Sequence, residues 1–448
     1  MKIRKIISLI TAAALVIVCS GCSLNFFSVE SLLAPPVQSG KNGEVQAAFN
    51  SLMKNEKIQL KTPISGDFQS SFVLFDINGD GVDESLVFYS DSSSVESSVR
   101  MALLEFVDEK WAISSDIKGA GSGVFDVSFT DLDADGVYEI FVSWSLFDNK
   151  TTKIISIYAP VVDSRGLYSL EALGNEYCNS KSFADFNGDL RNDLILVYLD
   201  DTGNFQKSFL RLFSLSQNRE LVKYAEVQLD SAITSVANIQ SDIIKAGHES
   251  YSRLFIDCQK NDRMIFTEMV YWDINNSSPV RAVMNPSVST ARNINVKCQD
   301  IDADGYLEIP VFTKLYGDEK QFSVTDYDEI YTFTLLDWLN EKGDTNHRDI
   351  KTLYNPLDSY LFKFPWNGKV SVRYDSVRNA LLFCEWNEQS KTYNAELFSI
   401  AYRDSSDEEV YGKVLYESQT GTYYYEITEN GETFGITDNE VISSFRIV

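Results

Sequence analysis

Histidine is nearly missing from this 448-residue chain, which holds only His248 and His347. His248 lies in "KAGHESYSR" and His347 in the polar stretch "GDTNHRD", and a lone loop histidine is usually solvated surface. The G-x-S-x-G, H-E-x-x-H and P-loop patterns are absent as well, which removes the common hydrolase, metalloprotease and nucleotide-binding signatures. Proline is scarce at 9 residues while aromatics reach 13%, a balance that excludes a disordered stalk and favours a folded, strand-rich body. Basic residues are outnumbered, 39 Lys+Arg against 65 Asp+Glu, for a net charge of −26. Such a chain repels phosphate backbones, so nucleic acid is excluded as a partner. Of 6 cysteines, Cys178, Cys258, Cys298 and Cys384 lie beyond residue 22, and none forms a CxxC. Each sits in or beside an apolar run and reads as a buried thiol, not as part of a disulfide framework or zinc site.

What the chain does have is carboxylates crowded at spacing two. The stretch "TDLDADGVYEIFVSW", residues 130–144, sets Asp131, Asp133, Asp135 and Glu139 ahead of apolar and aromatic residues. Like charges so close repel unless a cation sits among them, and D-x-[DN]-x-D-G is the front half of a calcium loop, with Gly136 permitting the sharp bend. An EF-hand requires a bidentate Glu at position twelve and a helix on each side. Position twelve here is Val142, inside a run rich in β-branched and aromatic residues. The last acidic ligand is Glu139 at position nine, so this loop joins strands and is not an EF-hand.

The N-terminus indicates where such a loop meets calcium. "MKIRKIISLITAAALVIVCSGC" carries Lys2, Arg4 and Lys5, then an apolar run, then small residues before Cys22, the order of a secretory signal peptide. Cys19-Ser20-Gly21-Cys22 resembles the lipobox of bacterial lipoproteins, which implies cleavage after residue 21 and diacylglycerol on Cys22. Loss of the three basic leader residues takes the charge from −26 to −29. An ordinary signal peptide and an N-terminal membrane helix are the alternatives. No later segment approaches the ~18 continuous apolar residues of a membrane span. Residues 22–65 read as the lipidated cysteine, a tether stiffened by Pro35-Pro36, and one short helix over 43–55.

Internal repeats organise the rest. "FDINGDGVDESLVFYS" begins at Phe75, "TDLDADGVYEIFVSWS" at Thr130, "ADFNGDLRNDLILVYL" at Ala184 and "QDIDADGYLEIPVFTK" at Gln299, in steps of 55, 54 and 115 residues. The long step spans two periods, and a unit that has lost its carboxylates, "AITSVANIQSDIIKAGHESYSRLFIDCQ", fills the gap. About four strands per unit at this period predict an all-β fold, a β-propeller over residues 66–448. A β-sandwich array and a β-solenoid are its rivals. Units start near 71, 124, 181, 232, 293 and 358. The tail "GTYYYEITENGETFGITDNEVISSFRIV" reads as up to three strands of a seventh blade closed by "KIQLKTPISG", with six blades as the alternative count.

The blades resemble the FG-GAP/VCBS repeats of bacterial surface proteins, related to the integrin α-subunit propeller, over most of residues 66–448. The resemblance implies seven blades, with calcium on hairpins between the first two strands of certain blades. Carried over residue by residue, the first loop offers Asp76, Asn78, Asp80 and Glu84 with the Val82 carbonyl. The second offers Asp131, Asp133, Asp135 and Glu139 with the Val137 carbonyl. The third offers Asp185, Asn187, Asp189 and Asp193, with Leu190 in place of the glycine. The fourth offers Asp300, Asp302, Asp304 and Glu308 with the Tyr306 carbonyl. Oxygen-only donors suit a hard cation, and calcium is preferred over magnesium, which demands stricter geometry.

These readings describe a non-enzymatic, lipid-anchored, calcium-stabilised propeller on the extracytoplasmic face of the cell membrane that binds an envelope protein or glycan. The alternatives are an envelope polysaccharide lyase or hydrolase, since propellers can host such sites, and a structural assembly factor. Tyr423, Tyr424, Tyr425 and Trp366 are candidates for a binding groove, with strand-face packing as the competing role.

Overall fold

A computed structural model describes residues 40–53, 58–91, 98–147, 151–164, 166–200, 206–246, 249–260, 264–282, 289–292, 294–313, 334–339, 351–355, 360–364, 370–404 and 412–447. The leader, Cys22, the tether's Pro35-Pro36, His248, His347 and Trp366 lie outside the described residues.

The described chain is all-β with three short helices, and its strands form six antiparallel sheets of four or five strands. The second sheet shows the plan: Gly123–Thr130, Glu139–Ser145, Lys153–Val162 and Tyr168–Cys178 pair in chain order. The third repeats it with Ser180–Ala184, Asp193–Asp200, Lys207–Leu215 and Leu221–Gln228. The fourth uses Ile233–Ala246, Glu249–Lys260, Ile265–Asp273 and Ser278–Arg281. In the first sheet the leading strand is split. Phe72–Phe75 and Ile58–Leu60 pair with opposite ends of Glu84–Asp91, and Val99–Val107 and Lys110–Lys118 follow.

A bulge recurs at one place in three units, between the third and fourth strands, after Leu103, Ile157 and Leu212. These residues pair with Leu86, Phe141 and Ile195, each two residues past the second strand's first residue. A bulge kept at one register position raises the local twist each time. The repeat is thus structural as well as sequential.

Second strands are buried on both faces, which is why they read as continuous apolar runs. Their period-two alternation sends side chains into two different cores. Ile140, Val142 and Trp144 pack with Val73, Leu86 and Phe88 of the first sheet, while Phe141 faces Leu194 and Leu196 of the third. Ile195 and Val197 in turn meet Leu254 and Ile256 of the fourth sheet, whose Phe255 meets Ile309 and Val311 of the fifth. Leu353 and Phe362 of the fifth meet Val372, Phe383 and Phe398 of the sixth. Consecutive sheets are therefore stacked face to face in chain order. The remaining face of the first sheet, with Phe72, Val87 and Tyr89, is covered by Val45 and Phe49 of the helix Lys41–Leu52. That helix begins and ends slightly earlier than the expected 43–55.

The C-terminal region departs from expectation. Tyr360–Phe364 closes the fifth sheet after Ile309–Phe312, Thr334–Leu339 and Lys351–Asn355, so the sixth unit begins at Val370 and not near 358. The tail builds no separate sheet. Gly421–Ile427 joins the sixth sheet beside Thr392–Asp404, with Val370–Asp375, Ala380–Asn387 and Lys413–Glu417 completing it. Two helices follow, Glu429–Phe434 and Asp438–Ser444, and then Phe445–Ile447 crosses back to pair with Tyr360–Phe364 of the fifth sheet. The segment "KIQLKTPISG" contributes Ile58–Leu60 to the first sheet and, among the described residues, pairs with no tail strand.

Candidate metal loops

Three acidic loops lie in the hairpin between the first two strands of their sheets, and the fourth in the bridged turn that leads into Ile309–Phe312. The pairs that flank them are Phe75 with Glu84, Thr130 with Glu139, Ala184 with Asp193, and the isolated bridge Gln299 with Glu308. The position-nine carboxylate is therefore the last residue before the apolar ladder, and it is buried in all four loops. Val142, at position twelve, is 0% exposed in the core between the first two sheets and does not face the loop.

One hydrogen-bond pattern recurs inside the loops. The first carboxylate accepts from the amides of positions five and six. Asp80 and Gly81 donate to Asp76 at 3.1 and 2.8 Å, Asp135 and Gly136 to Asp131 at 3.2 and 2.9 Å, Asp304 and Gly305 to Asp300 at 3.0 and 2.9 Å. In the third loop Gly188 and Leu190 donate to Asp185 at 2.8 and 3.0 Å. The position-five carboxylate accepts from position seven: Val82 to Asp80, Val137 to Asp135, Arg191 to Asp189 and Tyr306 to Asp304, at 2.8 to 3.0 Å. The position-nine carboxylate folds back to accept from position two, at 2.9 Å from Ile77 and Leu132 and 3.0 Å from Phe186 and Ile301.

Such tight turning needs left-handed backbone at positions four and six. Gly81, Gly136 and Gly305 supply it with φ of 85°, 87° and 92°, whereas the third loop forces Leu190 to 70°. The donors converge unequally. Carboxylate oxygens of Asp131, Asp133 and Glu139 lie within 4.8 Å of one another, as do those of Asp300, Asp302 and Asp304. Asp135 and Glu308 stand outside these triads. The first and third loops, with Asn78 and Asn187 at position three, gather no carboxylate triad among the described residues.

Electrostatics sharpen the picture. Burial first, and then neighbouring carboxylates, push Glu84, Glu139 and Glu308 up to about 7 and Asp193 up to about 6. Asp133 is raised by the same two causes, burial ahead of Asp135. A cation among these oxygens reverses the balance by replacing repulsion with attraction. The donor set fits a hard ion: it is all oxygen, and in the loops at 131–139 and 300–308 three carboxylates converge.

The loops are tied to their neighbours. Tyr138 donates its amide to the Ile77 carbonyl at 2.9 Å, and Asn192 its side-chain amide to the Asp131 carbonyl at 3.5 Å. Ser252 Oγ donates to the Asp185 carbonyl at 2.5 Å, and the Leu307 amide to Asp242 Oδ2 at 2.9 Å. Arg219, from the turn between the third and fourth strands of the third sheet, reaches Glu139 Oε1 at 3.3 Å. Sequence reasoning missed Arg219 and Asp242, because each meets its loop only through the stacking of sheets.

Other candidates resolve simply. Tyr423 and Tyr425 are buried in the core shared by the fifth and sixth sheets. Tyr424 is half-buried on the opposite face of its strand. All four described cysteines are free and buried, and burial raises their thiols, Cys178 and Cys258 to about 12.

No family model matches the chain, and no curated protein matches it. Among solved structures, the crystal structure of Saccharomyces cerevisiae Sqt1 aligns at 9% identity over 77% of this chain and 93% of that one. Its TM-score of 0.29 carries no argument about fold or function.

Proposed function

We propose that this chain is a β-propeller of the bacterial cell envelope, held on the extracytoplasmic face of the membrane by lipid on Cys22 and stabilised by calcium. In this reading it binds an envelope protein or glycan and is not an enzyme. The observation that carries it is one loop geometry repeated at four hairpins, with oxygen donors alone and a buried position-nine carboxylate folded onto each turn. Six sheets stacked in chain order among the described residues support blades. The anchor rests on the leader and Cys22.

Calcium in each loop joins the first two strands of a blade and neutralises their carboxylates, which makes it a structural ion. The test has two arms. Calcium titration of the full chain against a chromophoric chelator is expected to show up to four sites. Affinity capture from intact envelope, with and without calcium, is expected to retain one protein or glycan only when calcium is present. Absence of calcium binding overturns the ion, and cleavage of envelope polysaccharide by the purified protein transfers it to the lyase or hydrolase reading.

A further inference from the structure

The fourth sheet has the hairpin but not the acidic loop, and what replaces the loop is specific. When the second strands are aligned, "ESLVF", "EIFVS", "DLILV" and "EIPVF" begin with Glu84, Glu139, Asp193 and Glu308, and the fourth unit's "RLFID" begins with Arg253. The position-nine carboxylate has become a guanidinium. Arg253 pairs across the hairpin with Asp242, donating from Nε to Oδ1 at 2.9 Å and from Nη2 to Oδ2 at 2.5 Å. Both side chains are buried, at 3% and 7% exposure, so this is an internal bidentate ion pair.

Asp242 does more than neutralise Arg253. Its Oδ2 also accepts from the amide of Leu307, which immediately precedes Glu308 in the loop of the fifth unit. The Arg253 guanidinium lies 5.9 Å from the ring of Tyr306, in the same loop. On the other side, Ser252 Oγ holds the carbonyl of Asp185, the first residue of the third acidic loop. The unit without its own acidic loop thus bridges the two acidic loops beside it.

We propose that Arg253 is a tethered cation standing where the other units take an exchangeable ion, and that Asp242 is a positioning residue for the metal loop at 300–308. This rests on the calcium reading given above. The carboxylate fixes the Leu307 amide, and Leu307 sets the backbone from which the Glu308 side chain folds back onto Ile301. Arg253 holds Asp242 aimed at that amide through two hydrogen bonds, so the fourth unit needs no metal while serving its neighbour's site.

The experiment is calcium titration of the full chain by chelator competition, with Glu308→Gln as the reference that removes the fifth-unit site. Asp242→Ala is expected to weaken one site by about tenfold, the usual size of an outer-shell effect, and to leave the others at wild-type affinity. Added to Glu308→Gln, it is expected to change calcium binding no further. Arg253→Lys should retain the affinity that Arg253→Met loses. If Asp242→Ala does not fold, Asp242→Asn takes its place, with the same single site weakened. Wild-type affinity at every site, or equal weakening at all of them, overturns the positioning role. A wild-type chain that binds no calcium overturns the calcium reading itself, and the inference falls with it.

Discussion

Chelation is the perturbation with the most direct consequence. An ion bound only by the native state stabilises it by RT ln(1 + [L]/Kd), about 1.4 kcal/mol per site at tenfold excess over Kd. Four loops then contribute about 6 kcal/mol, comparable to the low end of a protein's whole net stability. Unfolding entropy near 2.1 cal/mol/K per residue gives roughly 0.9 kcal/mol/K for 448 residues, so removing all four ions lowers Tm by about 6 °C. The contributions are not expected to be equal, because carboxylate triads converge in the loops at 131–139 and 300–308. Glu139→Gln should therefore remove more of the calcium-dependent increment than Asp193→Asn in the third loop. The assay is thermal melting followed by circular dichroism at fixed ionic strength, in calcium, in magnesium and in EGTA. Superimposed curves in calcium and EGTA would refute the structural ion, and equal protection by magnesium would refute the choice of calcium.

The loop register can be tested in the second unit. Glu139→Gln is expected to remove one calcium site, while Val142→Ala costs roughly 2 kcal/mol of packing and leaves the number of sites unchanged; calcium titration and denaturant melts separate the two. Leu190 is 89% exposed and held at φ 70°, so Leu190→Gly relieves about 1–2 kcal/mol of left-handed strain against up to about 1 kcal/mol of added chain entropy. A small net gain in urea midpoint is expected, and a clear loss would contradict the strain argument. Thr437→Ala deletes a capping box in which Thr437 and Glu440 exchange hydrogen bonds, and should cost about 1 kcal/mol, read by the same melts. Cys22→Ser is expected to move the protein to the soluble fraction or leave an uncleaved precursor, since acyl chains bind at ~0.8 kcal/mol per CH₂. An unmodified native N-terminus at any other residue, found by mass spectrometry, would refute the anchor.

The parts of the fold that could be read in advance share a physical cause. The acidic loops stand out because carboxylates at spacing two are costly without a purpose, and the second strands stand out because burial on both faces erases polar positions. Together they fix the hairpins near 71, 124, 181 and 232 to within a residue or two of the observed strands. The tail could not be read the same way. Helices of six and seven residues, Glu429–Phe434 and Asp438–Ser444, are too short to show a 3.6-residue period. Their one legible signal was the T-x-x-E of Thr437 to Glu440, which marks a helix start. The expected boundary near 358 failed because the fifth unit has its first strand reduced to the bridge Gln299 to Glu308, which displaced the count and gave "YLFKF" to the wrong sheet.

The pairing of Arg253 with Asp242 marks the border between what spacing carries and what only the fold carries. Arg253 at position nine is visible once the units are aligned, because register in a repeat is a sequence property. Its partner is 11 residues upstream across a hairpin whose strands run longer than in any acidic unit, and nothing local marks Asp242 as the residue opposite. The contact from Asp242 to the Leu307 amide spans 65 residues and exists only because the fourth and fifth sheets are stacked. A charge reversal inside a repeat is thus the readable half of a compensation, and stacking decides where its counter-charge must lie. Here the fourth unit trades its acidic position nine for arginine, and the reciprocal carboxylate lies on the preceding strand, in reach of the next unit's loop.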